Sequence, residues 1–217
     1  MSRVFGAVLG KQSGKIGPVN FYVTKGTQFS RSMPVVERNR RFSSNQLDNM
    51  ERFKTLGKLA AAFMPASEIG LKNLMDKAYE NAISVFVQTN QGAVSVMGGE
   101  AEVDYGSLKV AMGNLYQPAF GNAVFTTPGK ITATYGTSAD GPHADAQDKV
   151  YLCAYQPDMK QAVLSAPALR TTGSIELPVP SVWTGMNAHV YGFAVGDGRE
   201  NKGYISESFY LGTGTIA

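Results

Sequence analysis

The chain opens with a segment in which apolar and polar positions alternate with a period of two. The alternation covers residues 19–24, breaks at a Lys25-Gly26 turn and resumes over residues 28–33, where Pro34 ends it. This period places alternate side chains on opposite faces of a strand, and glycine tolerates the positive φ of a tight turn. The pattern therefore predicts a β-hairpin with one apolar face and an edge that is free to pair.

The period then lengthens to that of a helix. Ser43 and Gln46 form a capping box that opens a first helix, and Pro65 is expected to end it. Ser67 is a suitable N-cap for a second helix, and the short connection predicts an antiparallel helix pair. The residues expected on the buried stripe of the first helix are Leu47, Met50, Phe53, Gly57, Ala60, Ala61 and Met64. Those expected on the buried face of the second helix are Ile69, Leu71, Leu74, Met75, Ala78, Ala82 and Phe86.

Glycines punctuate short alternating runs in the rest of the chain, which is typical of antiparallel β structure. A small meander is predicted at 94–97, 101–104 and 108–112. Further runs predict the strands of a β-sandwich, at 123–126, 130–135, 149–155, 161–165, 172–177, 188–195 and 204–211. The chain lacks the Cys…Trp…Cys spacing of immunoglobulin domains, so a fibronectin-like sandwich is the nearer expectation.

Together these elements predict an α+β fold. An N-terminal β-hairpin and an antiparallel helix pair come first, followed by a β-meander and a C-terminal immunoglobulin- or fibronectin-like β-sandwich. We expect residues 1–117 to form the first domain and residues 118–217 to form the sandwich. A chain of 217 residues is long enough to bury a substantial core in this arrangement.

Charge is distributed unevenly along the chain. Residues 1–41 hold eight Lys and Arg residues against one acid, a net charge of +7, whereas residues 42–217 hold 12 against 16, a net charge of −4. A basic head on an acidic body favours binding to nucleic acid or to an acidic neighbour, including the body of another copy. The charged content of 17% is low, which is typical either of a surface that partners cover or of a plain β-rich protein.

Cysteine content and hydropathy narrow the class of protein. Cys153 is the only cysteine, so no disulfide can form within the chain, and this fits a reducing compartment or a fold that needs no disulfide. No apolar run reaches the roughly 18 residues of a membrane span. Gly6, Gly10 and Lys11 interrupt any signal-peptide core. We therefore expect no membrane association, and a protein that stays where it is made or leaves by lysis or a dedicated route.

A glycine-rich segment near the start is superficially similar to a phosphate-binding loop. That loop needs four residues between its glycines and a Ser or Thr after its Lys. Here three residues separate Gly10 from Gly14, and Ile16 follows Lys15. The next element is predicted to be a strand, so the helix N-terminus that would hold phosphate is missing. We expect a bend before the hairpin rather than a nucleotide site.

One segment gathers groups that could hold a divalent cation. Asp140, His143, Asp145 and Asp148 supply the oxygen and imidazole ligands that several such ions accept. The same composition is typical of a solvated loop between strands, and that interpretation is favoured. No metal or other cofactor is expected.

The other candidate catalytic groups lack partners. His189 lies in a predicted strand, where a packed or rim histidine is the usual case, and Cys153 is expected to be a buried, inert thiol. Glu100, Glu102 and Asp104 share one face of a predicted strand, but no pairing of acid and base is evident. Nothing therefore predicts an enzyme.

The basic head is the strongest functional signal. Its cations could neutralise phosphates, but the aromatic residues of the chain are not interleaved with them as a stacking platform. An interface with protein is favoured over one with nucleic acid, and a merely solvated arm is the remaining alternative. The predicted interface residues are Lys11, Lys15, Phe21, Lys25, Phe29, Arg31, Arg38, Arg40 and Arg41.

Four stretches of the chain carry a resemblance: GKQSGKIGPVNFYVTKGTQFSRSMP, QLDNMERFKTLGKLAAAFMP, EAEVDYGSLKVAMGNLYQP and GYISESFYLGTG. Together they resemble an uncharacterised domain family of Bacteroidota and their phages. Members share a Gly-Lys hairpin with a Lys-Gly turn, a central Asp-Tyr and a final Ser-x-Ser-x-Tyr-x-Gly strand. This chain departs from the pattern at residues 17–20, where Gly-Pro-Val-Asn replaces Gly-Asn-Val-Val.

The resemblance implies a virion protein of a gut phage of the crAss-like kind, with no enzymatic activity attached. We expect a multi-copy structural subunit of the neck or tail, made in the host cytoplasm and assembled with itself and other virion proteins. A nucleic-acid-binding module that uses the basic head is the first alternative. A module for bacterial adhesion or carbohydrate binding is the second.

Overall fold

The computed structural model describes residues 2–3, 13–33, 41–75, 81–198 and 201–217. The chain divides into two compact units, Met1–Ser43 and Ser44–Ala217. Helices and antiparallel sheets occur together, so the predicted α+β class is confirmed. No helix among these residues is long and apolar enough to cross a membrane.

The first unit is a four-stranded antiparallel sheet in the order β1-β4-β3-β2. Its strands are β1 Ser2–Arg3, β2 Gly14–Ile16, β3 Val19–Thr24 and β4 Thr27–Ser32. The hairpin predicted from the alternation is confirmed as β3–β4. Its single apolar face is not, because Phe21 lies opposite Ser30 whereas Phe29 lies on the other face. Both of its strands have outer neighbours, so the expectation that the hairpin itself offers a free edge is wrong.

The turn of this hairpin follows from its two residues. Lys25 and Gly26 have φ angles of 46° and 77°, and positive φ at both positions is the geometry of a type I′ turn. Such a turn matches the right-handed twist of the strands that it joins. It therefore fixes which residues of β3 and β4 lie opposite one another.

The second unit begins with helices whose division differs from the prediction. The helices are α1 Ser44–Ala62, α2 Met64–Gly70 and α3 Ala82–Thr89. α1 ends at Ala62, shortly before Pro65 as predicted, and Pro65 lies in the first turn of α2, where its missing N–H costs nothing. Ser67 lies inside α2, so its prediction as an N-cap is wrong. α3 has its own N-cap, Asn81, whose side chain accepts a hydrogen bond of 2.8 Å from the backbone N–H of Ser84. The predicted second helix is therefore two separate helices.

The apolar stripe predicted along α1 is only partly buried. Leu47, Met50 and Phe53 are 51%, 54% and 66% exposed, whereas Leu56 and Leu59 further along are buried. The amino-terminal half of the helix therefore extends beyond the core. Periodicity identifies the apolar stripe of a helix, but not how far along the helix the core reaches.

Short antiparallel strands form the rest of the second unit. The first are β5 Val94–Met97, β6 Glu100–Val103, β7 Phe120–Val124, β8 Lys130–Tyr135 and β9 Lys149–Gln156. The others are β10 Gln161–Leu164, β11 Ala168–Leu169, β12 Ser174–Pro178, β13 Asn187–Val195 and β14 Phe209–Thr215. The sheet orders are β5-β6, β12-β8-β7 and β10-β9-β13-β14, with β11 also pairing with β9.

The third strand predicted for the meander, at 108–112, does not form. Its backbone is held instead by other groups: Lys109 N–H donates to the Asn90 side chain at 2.7 Å, and Val110 N–H donates to Ser208 Oγ at 3.0 Å. Leu108 and Val110 are buried. The apolar alternation at 108–112 thus arises because alternate side chains are buried in the core, although the segment does not pair with another strand.

The sheet that contains β9 and β13 is covered on both faces. One face contributes Leu152 and Val190 to a core that also holds Trp183. The other face contributes Cys153 and Tyr191 to a core shared with the helices. This double coverage accounts for the nearly continuous buried positions along β9 and β13. Residues on both sides of the expected boundary at 117/118 thus share a core. Whether residues 1–117 and 118–217 fold as independent domains stays a prediction.

Candidate interaction surface

The pairing of strands in the first unit brings cations and aromatic rings onto one face. Lys15 pairs with Asn20, and Asn20 pairs with Arg31, so the three form a row across β2, β3 and β4. Tyr22 pairs with Phe29 in the next row on the same face, because directly opposed residues of antiparallel strands point to the same side. We call Lys15, Tyr22, Phe29 and Arg31 the cationic–aromatic face.

Geometry within this face is specific. The rings of Tyr22 and Phe29 stack with centroids 5.6 Å apart and planes inclined by 20°. The guanidinium carbon of Arg31 lies 5.9 Å from the centroid of the Tyr22 ring, within the range of a cation–π interaction. Lys15 and Arg31 are exposed, while both rings are half-buried. The face therefore presents charge next to a flat aromatic surface.

The predicted interface residues are only partly brought together. Phe21 lies opposite Ser30 and so belongs to the other face of the sheet from Phe29. Lys25 is in the hairpin turn, and Arg41 is exposed. Lys11, Arg38 and Arg40 lie outside the described residues.

The aromatic part of this face is what sequence reasoning missed. No stacking platform of aromatic residues was expected beside the cations. The two-residue turn at Lys25-Gly26 places Tyr22 opposite Phe29, and that pairing joins a ring of one strand to a ring of the other. Counting outward from the turn would have revealed the pair, because the turn length sets the register of a hairpin.

The first unit buries little apolar surface. Of residues 13–33 and 41–43, only Gln28 is buried. Ile16 and Met33 are 59% and 40% exposed, and Val19 and Phe21 are half-buried. A unit of about 40 residues rarely buries enough apolar surface to be stable alone without metals, disulfides or association.

The segment considered for a metal is held by a buried ion pair. Arg170 Nε donates to Asp148 Oδ2 at 3.0 Å, and neither side chain is exposed. The guanidinium also donates to the carbonyls of Ser138 and Tyr116, and the amide of Asn201 donates to Asp148 Oδ1. Asp148 is thus the anchor of the loop.

The other groups of that segment have local structural roles. Asp140 accepts a hydrogen bond of 2.8 Å from Ser138 Oγ, Asp145 accepts one of 2.8 Å from Gln147 N–H, and His143 stacks on Tyr204. The parts of the chain that the structure describes contain no group of three or more His, Cys, Asp or Glu that could hold a metal. The solvated-loop interpretation therefore fits the segment apart from Asp148.

His189 and Cys153 are packed groups. His189 Nδ1 lies 2.8 Å from the Tyr210 hydroxyl, and its ring stacks on Tyr105 at a centroid distance of 3.9 Å. Partial burial lowers the pKa of His189 below its usual value, which disfavours the charged imidazolium. Complete burial raises the pKa of the Cys153 thiol to about 12, so the nucleophilic thiolate is scarce at neutral pH.

The acidic residues of the meander are exposed. Glu100 and Glu102 lie on β6, and Asp104 follows the strand, where its side chain accepts a hydrogen bond of 3.0 Å from Gly106 N–H. Across the hairpin, Glu102 pairs with Ser95 and Glu100 pairs with Met97. We call Ser95, Met97, Glu100 and Glu102 the acidic hairpin face, since all four point to the same side and are exposed.

A cleft of about 850 Å³ lies within the second unit, between α2 and the ends of the central sheet. Its apolar lining includes Ile69, Met75 and Tyr151, and its charged lining includes Glu68 and Lys202. The residues that the structure describes around it include neither histidine nor cysteine.

Fold and surface together define an α+β protein. Its second unit has a β-sandwich whose central sheet is covered on both faces, and its first unit is a basic sheet. The chain matches, over residues 11–212, the model of a family of unknown function, DUF6266, and therefore belongs to that family. No curated protein matches it. The fibronectin type III domain of the human collagen alpha-1(XX) chain is similar over 49% of this chain and 90% of that chain, with a TM-score of 0.36 and 13% identity.

Proposed function

We propose that the protein is a non-enzymatic structural subunit of a bacteriophage particle. In this proposal it is present in many copies in a neck or tail ring and contacts copies of itself and other virion proteins. It is made in the cytoplasm of a bacterial host and resides in the virion. The phage assignment rests on the sequence resemblance, and the role in assembly rests on the first unit.

The observation that carries the proposal is the composition of the first unit's surface. Residues 13–33 and 41–43 include four cations and no acid, and Gln28 is the one buried residue among them. Half-buried aromatic residues remain on both faces of the sheet, at Phe21 and Phe29. Docking on another protein would bury this apolar surface and neutralise the charge.

Mass photometry of the purified full chain tests the proposal. We expect discrete assemblies of several copies, and we expect Lys15→Glu/Arg31→Glu to shift the protein to monomers, because the charge of the cationic–aromatic face reverses. The control is Lys160→Glu, which changes an exposed lysine of the second unit and leaves assembly intact. A wild-type chain that stays monomeric and is absent from purified phage particles would refute the proposal.

A second candidate function is binding of single-stranded nucleic acid, and one observation favours it. The Tyr22–Phe29 stack beside Lys15 and Arg31 combines a platform for bases with cations for the backbone. This combination was not expected from the sequence.

Fluorescence anisotropy with a labelled oligonucleotide distinguishes this candidate. If it is correct, Tyr22→Ala weakens binding by about 1–3 kcal/mol, the cost of losing one stacked base. Two phosphate contacts give a slope of roughly −1.4 for log affinity against log salt concentration. The control is Phe42→Ala, which removes an exposed ring outside the stack. An affinity that changes neither with salt concentration nor on Tyr22→Ala would eliminate this candidate.

A further inference from the structure

We infer that the cationic–aromatic face of one copy docks on the acidic hairpin face of a second copy. This inference rests on the proposed function, for which it names the two contacting surfaces. It goes beyond that function because it identifies the side chains of the body that receive the basic head.

The acidic hairpin face is built as an exposed platform. On the inner side of β5–β6, Val94 is buried and Val103 packs against the core shared with the helices. On the outer side, Met97 is 81% exposed, an unusual exposure for a large apolar side chain. Neither Glu100 nor Glu102 forms an ion pair with any cation in the described part of the chain.

The cationic–aromatic face has the opposite charge. Lys15 and Arg31 lie in one row, separated by the strand that carries Asn20. No acidic residue occurs in residues 13–33 to neutralise them. The two faces therefore attract each other, whereas either face repels a copy of itself.

Dimensions of the two faces are compatible. Glu100 and Glu102 are two residues apart on one strand, which separates their Cα atoms by about 7 Å. Lys15 and Arg31 are two strand spacings apart, which is about 9.5 Å. Long lysine and arginine side chains readily cover the difference between these separations. Two salt bridges can thus form at the same time.

Met97 supplies an apolar contact for the aromatic stack. Met97 lies directly opposite Glu100 on its hairpin, so its side chain is next to a negative charge. On the other face, Tyr22 and Phe29 lie one row from Arg31, so the rings are next to a positive charge. A methionine thioether packs favourably on aromatic rings, by about 0.3–1.5 kcal/mol. The contact would cover an exposed methionine and two half-buried rings together.

The mode of assembly follows from the two faces being different surfaces of the chain. They belong to different units of the chain, so one copy can donate its cationic–aromatic face while its own acidic hairpin face receives another copy. Such a heterologous contact produces a ring when the rotation closes. A symmetric dimer formed through one shared patch is not expected.

Charge exchange tests the inference on full-length chains. We expect Lys15→Glu/Arg31→Glu alone and Glu100→Lys/Glu102→Lys alone each to raise the dissociation constant between copies on the order of 100-fold, because attraction becomes repulsion. Mixing the two variants, or combining all four changes in one chain, restores assembly. Met97→Ser raises the dissociation constant by up to about tenfold.

The matched control is Glu68→Lys/Asp158→Lys, which makes the same change in net charge at two other exposed acids and leaves assembly intact. If wild type assembles and Glu100→Lys/Glu102→Lys assembles equally well, the named contact is wrong while the proposed function stands. Failure of the mixed variants to assemble also overturns the contact. A monomeric wild type overturns both proposals.

Discussion

Arg170→Met is expected to lower the free energy of unfolding by about 3–5 kcal/mol, because it leaves the Asp148 carboxylate buried without a counter-charge. The carbonyls of Tyr116 and Ser138 lose their donors in the same step. For a domain of this length the loss corresponds to a fall of about 6–20 °C in Tm. Thermal unfolding followed by circular dichroism measures it.

The exposed ion pair between Lys130 and Glu176 provides the control for that experiment. Its atoms are 2.7 Å apart, but its side chains are 38% and 62% exposed, so Lys130→Met should cost less than about 1 kcal/mol. Asp148→Asn/Arg170→Met removes both buried charges and should be less destabilised than Arg170→Met alone. Equal effects of Arg170→Met and Lys130→Met would show that the buried pair does not hold the 138–148 loop.

Phe63→Ala is expected to cost about 3–5 kcal/mol, as large-to-small changes in cores do. Phe63 is fully buried between α1 and α2, and its ring lies 5.6 Å from Phe86, 4.9 Å from Tyr155 and 5.5 Å from Tyr191. It therefore joins the helices to the central sheet. Urea unfolding measures the loss, and Phe53→Ala in α1 is the control, since that side chain is 66% exposed.

Two probes in this experiment also address the domain boundary predicted at 117/118. Trp183 is buried in the core on the far side of the central sheet, so its fluorescence reports on the sandwich, while circular dichroism at 222 nm reports mainly on the helices. We expect Phe63→Ala to shift both transitions together, because β9 and β13 belong to both cores. A helical transition that moves while Trp183 does not would support the predicted boundary.

Local signals in the sequence were sufficient for the hairpins and most strands. The Lys25-Gly26 turn and the alternation around it define β3 and β4, and the run at 130–135 matches β8. In these segments the period of the side chains and the conformational preference of the turn residues act over a few positions. Neither depends on knowing which distant segment packs against the strand.

Features set by distant contacts were not predictable in the same way. Whether Leu47 and Met50 are buried depends on where the core ends along α1, and Asp148 gains its role from an ion pair with Arg170, 22 residues away. Pro65 correctly marked the end of α1, but Ser67 was mistaken for the N-cap of the next helix, because α2 already begins at Met64 with Pro65 in its first turn. The candidate surface lies between these cases, since its cations were predicted and its aromatic stack was not.

The cationic–aromatic face forms only if the turn between β3 and β4 keeps its length of two residues. Pairing across the turn brings Tyr22 to Phe29 and Asn20 to Arg31. A single residue inserted at Lys25-Gly26 would shift that pairing by one and turn alternate side chains to opposite sides. The surface would be lost although every residue in it was retained. Among related chains, the spacing between the aromatic residues thus carries as much information about this surface as their identities do.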